Sequence, residues 1–381
     1  MKISSRLIHH TGAFCPHTGA VSTPVYQVST FRQDTVDRNR GYDYSRSANP
    51  TRGVLESFIA ELEGGARGFA YSSGMAAISS CLMLFSPGDH MVATEGLYGG
   101  TYRVIREVFE QRGLTCTFAE TSDIAALKKA LKPETKAVYL ETPCNPRMNI
   151  TDIRAAADTA HEHGAVLVLD NTFMSPYLQR PLEHGADIVV HSATKFLGGH
   201  SDLIAGLAVV NSAETAGRMK TLQNSLGAVL GPFDSWLLVR GMKTLGIRLE
   251  KGQATAMKIA RWLTDREEVA QVMYPGLEAH EGAEVHARQS SGPGAVLSFR
   301  LKDAYSGRKL VENVSIWTLA VSLGGVESII TLPAAMTHLP YSREERERLG
   351  IDERLVRLSV GIEDAEDLIC DLENALRLCA G

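Results

Sequence analysis

The chain has 381 residues, of which 44% are hydrophobic, 22% charged and 7% aromatic. This composition is typical of a globular protein and excludes the disordered, collagen-like and membrane-spanning classes. The formal net charge of −5 provides no broad positive field for nucleic acid or an anionic membrane, so we expect neither as a partner. The length predicts two or three structural units with a substantial core.

The six cysteines form no C-x-x-C pair and no zinc-like grouping with histidine. A chain of this length needs no disulfide scaffold, so a reducing compartment is the simplest interpretation. The first residues, MKISSRLIHHTGAF, lack the apolar stretch of a signal peptide. We therefore expect a cytoplasmic protein without a metal site.

Three regions follow one another along the chain. Residues 1–50 are rich in glycine and proline breakers, which predicts an extended arm that contacts a neighbouring subunit. In residues 51–250, apolar runs such as AVLVLD alternate with helix-like segments. This pattern predicts an α/β domain with a mainly parallel sheet and helices on both faces. One of these helices is expected over residues 151–163, with Thr151 as its N-cap.

Residues 251–381 predict a smaller α+β domain. A long helical region begins near residue 250, and three strand-like runs follow it: GPGAVLSFRL, WTLAVSL and ERLVRLSV. The segment EDAEDLICDLENALRL predicts a closing helix.

Ligands of open α/β sheets bind at the carboxyl ends of the strands. The stretch Ser72-Ser73-Gly74-Met75 joins a predicted strand to a predicted helix, whose free N–H groups could bind an anion. The same stretch is a degenerate nucleophile elbow with Ser72 as nucleophile, and a simple helix cap explains it equally well.

Two further residues follow apolar runs of the predicted sheet. Asp170 ends one run, where a carboxylate stays ionised only beside a cation or several donors, although a turn-forming role is an alternative. Lys195 follows the next run, at the mouth of a buried strand, where desolvation would favour the free amine that forms covalent bonds with carbonyl groups. The hydroxyls of Ser192 and Thr194 flank it and could bind a phosphate.

Tyr98 and Arg357 complete the set of candidates. Tyr98 lies in a glycine-rich turn and could stack on a flat ring, or belong to the core. Arg357 lies in a predicted strand, where it could bind a carboxylate through two nitrogens or simply face water. Together the candidates supply what pyridoxal 5′-phosphate needs, namely an amine, a carboxylate, a phosphate site, a stacking ring and an arginine for an amino-acid substrate.

The sequence also resembles the Cys/Met-metabolism family of pyridoxal-phosphate enzymes, which includes cystathionine lyases and synthases. The resemblance covers nearly the whole chain. It is carried by YDYSRSANPTR, SSGMAA, LYGGTYR, ETPCNP, LDNTF, HSATKFLGGHSD, VSLGGVES and RLSVGIED.

The resemblance implies a fold-type-I homotetramer built of dimers with shared active sites. It implies that Tyr44 and Arg46 of the arm bind the phosphate of a neighbouring subunit. The remaining implied roles lie within one chain. The phosphate would be bound by Gly74, Met75, Ser192 and Thr194, and the ring by Asp170 and Tyr98. Lys195 would attach the cofactor covalently and transfer protons, with help from Tyr98. The substrate would be bound by Asn145, Ser322, Arg357 and Arg103.

Four positions bear on which reaction is expected. Gly100 differs from the cysteine that methionine γ-lyases have there, and Arg103 matches an arginine that faces the distal end of cystathionine in relatives. Val321 replaces the glutamate of the γ-synthases and γ-lyases, as in cystathionine β-lyases of Gram-positive type, and Ser47 differs from an arginine of some γ-synthases. We therefore expect β-elimination of L-cystathionine.

Three alternatives stay open at this point. The first is γ-elimination or γ-replacement, by a cystathionine γ-lyase, a cystathionine γ-synthase or an O-acetylhomoserine sulfhydrylase. The second is a serine hydrolase that uses Ser72, Asp170 and His338. The third is a non-catalytic binding protein on the same fold.

Overall fold

The computed structural model describes residues 1–380. The arm, residues 1–49, contains one short helix, α1 (Ile3–Arg6), and otherwise runs in irregular backbone. It ends at Asn49, whose side chain caps helix α2 (Pro50–Glu63) by accepting the backbone N–H groups of Thr51 and Arg52. The Asn49 amide also donates to the carbonyl of Tyr26, which ties the arm to the start of the helix.

A seven-stranded sheet forms the centre of the molecule. Its strands are β1 (Arg67–Tyr71), β2 (His90–Thr94), β3 (Thr115–Ala119), β4 (Thr135–Glu141), β5 (Val166–Asp170), β6 (Ile188–Ser192) and β7 (Gly206–Val210). They lie in the order β1-β7-β6-β5-β4-β2-β3. The sheet is parallel except that β7 runs antiparallel to both of its neighbours.

Helices cover both faces of this sheet, as the continuous apolar runs predict. Leu167 and Leu169 of β5 pack into one core cluster with α2 and α6, whereas Val168 between them packs into a second cluster with α3 and α8. The helices that accompany this sheet are α3 (Gly74–Leu82), α4 (Gly99–Val104), α5 (Ile124–Ala130), α6 (Ile153–Glu162), α7 (Ser175–Leu178), α8 (Ala213–Leu226) and α9 (Pro232–Met242).

The C-terminal part contains a second, five-stranded sheet with its own core. Its strands are β8 (Val269–Met273), β9 (Val296–Leu301), β10 (Thr318–Leu319), β11 (Ile329–Thr331) and β12 (Leu355–Ser359), in the order β10-β11-β12-β9-β8. The helices are α10 (Leu245–Thr264), α11 (Ala283–Gln289), α12 (Gly307–Glu312), α13 (Arg343–Arg348) and α14 (Ala365–Leu378). The predicted α/β architecture with a smaller α+β unit is confirmed, while the domain boundaries near residues 50 and 250 stay predictions.

Two local predictions are wrong. The run WTLAVSL forms only the two-residue strand β10, because Ser322 and Gly324 adopt φ values of 92° and 78°, which extended backbone cannot accommodate. Helix α6 begins two residues later than predicted, since Asp152 is the cap that accepts the N–H of Ala155. The hydroxyl of Thr151 instead bonds to that of Thr121.

The parallel strands bring three polar side chains to one edge of the central sheet. Glu141, Asp170 and Ser192 end β4, β5 and β6, and Glu141 and Asp170 are direct partners in the strand register.

None of the helices within residues 1–380 has the length and apolar character needed to cross a bilayer.

Candidate active site

A cavity of about 690 Å³ opens at this edge, between the central sheet and the loops around β10 and β12. Most of the sequence-predicted site residues line it. They are Gly74, Met75, Tyr98, Arg103, Asn145, Asp170, Ser192, Thr194, Lys195, Ser322 and Arg357. Tyr44 and Arg46 are the exceptions, because both belong to the arm and lie outside the cavity of their own chain.

The start of helix α3 forms a compact cradle for an anion. Ser73, rather than Ser72, is the N-cap, and its hydroxyl accepts the N–H of Ala76 at 3.1 Å. A Cβ atom on Gly74 would lie 2.8 Å from the Cβ of Ser192, and one on Gly206 would lie 2.0 Å from the Ser73 carbonyl oxygen. Only glycine fits at both positions, which leaves the N–H groups of the first helical turn free beside hydroxyl side chains.

Asp170 is held at the end of β5 by its own neighbours. The backbone N–H and the hydroxyl of Thr172 donate to Oδ1 at 3.0 and 2.5 Å, and the Tyr139 hydroxyl lies 3.4 Å from Oδ2. Burial raises the pKa of Asp170, against the opposing effect of the Thr172 hydrogen bonds. A carboxylate in this position favours a cationic partner within the cavity, such as a protonated ring nitrogen.

Lys195 follows β6, and its amine projects into the same cavity. Nζ donates to the hydroxyl of Ser322 at 2.6 Å. Burial, together with the positive charge of Arg357, lowers the pKa of Lys195 to about 8. The uncharged fraction of this lysine near neutral pH is therefore far larger than that of an ordinary lysine, and the uncharged amine is the state that attacks a carbonyl.

This pKa predicts how the apoprotein reacts with pyridoxal phosphate. We expect the rate of covalent attachment to rise about tenfold per pH unit below pH 8 and to level off above it, because only the neutral amine reacts. Stopped-flow absorbance between pH 6 and 10 measures the rate. A rate that keeps rising to pH 10 would show an ordinary lysine, whose pKa is about 10.4.

Arg357 lies at the floor of the cavity and is only 2% exposed, so the alternative that it faces water is wrong. One terminal nitrogen donates to Oδ1 of Asn145 at 2.9 Å and the other to the carbonyl of Ser322 at 2.6 Å. Its Nε is buried without a partner among the described residues. An unpartnered guanidinium nitrogen beside a cavity is suited to the carboxylate of an amino acid.

The mouth of the cavity is part aromatic, part aliphatic and part cationic. Tyr98 precedes α4 and is 42% exposed, and a Cβ atom on Gly100 would lie 2.4 Å from its ring. Val321 and Ile204 are also exposed and line the same cavity. Arg103 is also exposed at the mouth and makes no ion pair within residues 1–380, so its charge is available to a ligand.

Glu141, Thr172 and Gly206 belong to the site, but sequence reasoning did not assign them. The signals were present. Thr172 lies two residues after Asp170, where a side chain commonly donates back to a carboxylate, and Gly206 opens an apolar strand. Glu141 ends β4 just as Asp170 ends β5, so the same rule of strand ends would have found it.

The arm presents Tyr44 and Arg46 outward from their own subunit. The buried Arg52 guanidinium donates to the backbone carbonyls of Ser45 and Arg46, at 2.7 and 3.2 Å. The Tyr44 side chain is 45% exposed, with the Arg46 guanidinium over its ring. Their binding to a neighbouring subunit stays a prediction.

The hydrolase interpretation is wrong. The imidazole of His338 bonds to the carbonyl of Gly96 and the hydroxyl of Thr337, and Asp170 accepts from Thr172 and Tyr139. Within residues 1–380, no hydrogen bonds connect Ser72, His338 and Asp170 as a triad requires.

The cavity therefore meets the requirements of pyridoxal phosphate one by one. A glycine-lined helix start fits the phosphate, the buried carboxylate of Asp170 fits the ring nitrogen, and the amine of Lys195, whose pKa is lowered, fits the aldehyde. Tyr98 lies at the mouth, where an aromatic side chain can cover a flat ring.

Comparison with known proteins agrees with this fit. The chain is 52% identical to cystathionine beta-lyase MetC of Bacillus subtilis (strain 168), over 98% of this chain and 96% of the relative. It is 50% identical to cystathionine gamma-lyase of the same organism, over 99% of each. A crystal structure of cystathionine gamma-lyase from Lactobacillus plantarum complexed with L-serine superposes with a TM-score of 0.98 at 45% identity, covering 100% of this chain and 99% of that chain.

The model of one protein family, described as Cys/Met metabolism PLP-dependent enzyme, matches residues 4–377. This match spans the arm, both sheets and every residue of the cavity described above. The chain belongs to the Cys/Met-metabolism family of pyridoxal-phosphate-dependent enzymes.

Proposed function

We propose that this enzyme is a carbon–sulfur lyase that splits L-cystathionine by β-elimination. With one water molecule, the products are homocysteine, pyruvate and ammonia. The observation that carries the proposal is the cavity itself, in which the Lys195 amine and the Arg357 guanidinium lie on either side of Ser322, below a mouth that contains Val321. The relatives named cystathionine beta-lyase at 52% and 50% identity support it.

Substrate binding begins with the α-carboxylate. Arg357 offers its free Nε, and Asn145 fixes one terminal nitrogen of the guanidinium. Because Arg357 is buried and hydrogen-bonded before substrate arrives, it loses little freedom on binding, and the carboxylate replaces an unpartnered contact. This anchor places the substrate Cα beside Lys195.

The chemistry then depends on proton transfer by Lys195. Pyridoxal phosphate, when bound, would supply an electron sink that makes the Cα proton acidic. The Lys195 amine takes that proton, the Cβ–S bond breaks with its electron pair on sulfur, and the same amine returns a proton to the sulfur. Asp170 would hold the proton at the ring nitrogen, and the Ser322 hydroxyl holds the lysine amine in reach at 2.6 Å.

The distal end of the substrate reaches the mouth of the cavity. Arg103 would pair there with the distal carboxylate of cystathionine, while the aliphatic Val321 offers no charge to the distal ammonium group. The lack of a carboxylate at position 321 favours β-elimination over reactions at Cγ. The second candidate is γ-elimination or γ-replacement, which the 50% identity to a cystathionine gamma-lyase and the 47% identity to a gamma-synthase/O-acetylhomoserine (thiol)-lyase support.

We further propose a cytoplasmic homotetramer in which Tyr44 and Arg46 reach the phosphate bound by a neighbouring subunit. Exposed apolar side chains on the arm support an interface there: Phe14, Val21, Val25, Tyr26, Val28 and Val36. All six cysteines are free thiols, which supports a reducing compartment.

The identity of the keto acid tests the proposed reaction. The purified enzyme, loaded with pyridoxal phosphate, is incubated with L-cystathionine, and the products are separated by chromatography. We expect pyruvate and homocysteine in equal amounts. The appearance of 2-oxobutyrate with cysteine would instead establish γ-elimination, and activity only with an O-acylhomoserine plus a thiol would establish a synthase.

A further inference from the structure

Glu141 is a buried carboxylate in the cavity that the proposed reaction does not use. It ends β4, is 6% exposed and faces Asp170 across the strand register. Burial and the neighbouring Asp170 carboxylate raise the pKa of Glu141, whereas two backbone hydrogen bonds and the charge of Arg357 favour its ionised form. A carboxylate placed beside a second buried carboxylate is costly, so a specific function would explain its presence.

The two oxygens of Glu141 connect two separate segments of the chain. Oε2 accepts the backbone N–H of Tyr98 at 2.9 Å, just before α4 begins. Oε1 accepts the backbone N–H of Asn145 at 3.0 Å, in the turn after β4. The Asn145 side chain then accepts from Arg357 at 2.9 Å, so a continuous chain of hydrogen bonds joins Tyr98 to Arg357.

We infer that Glu141 is a positioning residue that fixes the spacing between the Tyr98 ring on one wall of the cavity and the Asn145–Arg357 pair at its floor. Both oxygens are needed, because each accepts a different N–H. The inference deepens the proposed function and rests on it for the roles of Tyr98 and Arg357.

The substitution Glu141→Gln tests the positioning role of Glu141 with a minimal change in side-chain volume. A carboxamide has one oxygen, so in either orientation its NH₂ group faces one of the two N–H donors and that hydrogen bond is lost. Glu95→Gln is the matched control. It removes a carboxylate three residues before Tyr98 that pairs with Arg348 away from the cavity lining.

Three measurements follow the effect of Glu141→Gln. Hydrogen exchange of the apoprotein, followed by mass spectrometry, should be about tenfold faster in the peptides with Tyr98 or Asn145 and unchanged elsewhere. The dissociation constant of pyridoxal phosphate, from equilibrium dialysis, should rise about tenfold. The KM for L-cystathionine should also rise about tenfold with a smaller change in kcat, because the substrate anchor is disturbed. Glu95→Gln should change none of these.

Each contrary outcome has a defined meaning. Unchanged exchange at both peptides, or an unchanged KM beside faster exchange, would show that Glu141 does not position the site. If Glu141→Gln does not fold, Glu141→Ala is measured in its place, and failure of both to fold would make the residue a general structural one and overturn the inference. If wild-type enzyme leaves L-cystathionine intact, the proposed function fails, but the exchange and dialysis results still decide the role of Glu141.

Discussion

Substitution of Lys195 by alanine is expected to abolish turnover of L-cystathionine, with a loss of at least about 10⁴-fold in kcat. The loss is this large because, in the proposed mechanism, one amine performs two tasks, covalent attachment of the cofactor and proton transfer at the substrate. Its environment serves both tasks, since burial lowers the pKa to about 8 and Ser322 holds the amine 2.6 Å from its hydroxyl. Steady-state pyruvate formation measures the effect.

The proposed phosphate site at the start of α3 and Asp170 do not depend on this lysine, so the Lys195→Ala protein should still bind pyridoxal phosphate without a covalent bond. Lys195→Arg should be equally inactive, because a guanidinium stays charged at neutral pH and cannot act as a neutral amine. Lys251→Ala, on the exposed side of α10, is the control and should keep wild-type activity. Activity within tenfold of wild type in Lys195→Ala would refute the assignment.

The sequence predicts the edge of the sheet that carries the site because parallel strands end at a common edge. Asp170, Ser192 and Lys195 follow apolar runs, and the structure brings all three to one cavity. Gly74 and Met75 are found by the same reasoning, since a glycine-containing turn between a strand and a helix leaves N–H groups free. The prediction of these residues depends only on local patterns and on the strand order of an α/β sheet.

Contacts between distant segments cannot be predicted from local sequence patterns. The alternation in β12 shows which residues share a face with Arg357, but both faces of that strand are covered, so periodicity cannot distinguish buried from exposed. The strand expected around WTLAVSL fails because Ser322 takes a left-handed backbone conformation while its hydroxyl and carbonyl bind Lys195 and Arg357. Such a requirement comes from tertiary contacts rather than local preference.

The arm is a third case in which the sequence predicts the local structure but not the contacts. Its lack of a regular pattern predicts an extended segment, and the structure confirms irregular backbone, but the neighbour that Tyr44 and Arg46 would reach is not determined by one chain. Only the family resemblance assigns them to the phosphate. Their outward placement from a backbone fixed by Arg52 is the structural observation that favours a second subunit.

Substitution of Asp170 by asparagine should lower kcat/KM by about 100-fold or more while making the apoprotein more stable. The carboxamide has the same shape, and its oxygen can still accept from Thr172, so the fold is retained. It carries no charge, however, and an opposite charge within about 4–6 Å shifts the pKa of a partner by about 1–3 units. Without it, the ring nitrogen of bound cofactor keeps its proton a smaller fraction of the time, and the Cα proton is less acidic.

The stability gain has a defined pH dependence. Burial raises the pKa of Asp170 above its ordinary value, so the folded apoprotein binds a proton that the unfolded chain releases, and wild-type stability falls as pH rises from about 4 through the folded pKa. Asp170→Asn removes this loss. The gap in unfolding free energy between the variant and wild type should therefore be small at pH 4 and widen in favour of the variant as the pH rises to 7.5.

Thermal and denaturant unfolding of the two apoproteins at pH 4 and 7.5 measure this gap, and Asp158→Asn on the exposed face of α6 is the control that should show none. Pyridoxal phosphate should reverse the order, since it supplies the cation that the wild-type carboxylate lacks and stabilises wild type more than the variant. A variant with wild-type kcat/KM would contradict the pairing of Asp170 with the ring. A variant that is less stable than wild type at pH 7.5 without cofactor would show that the Asp170 charge already has a sufficient partner in the protein.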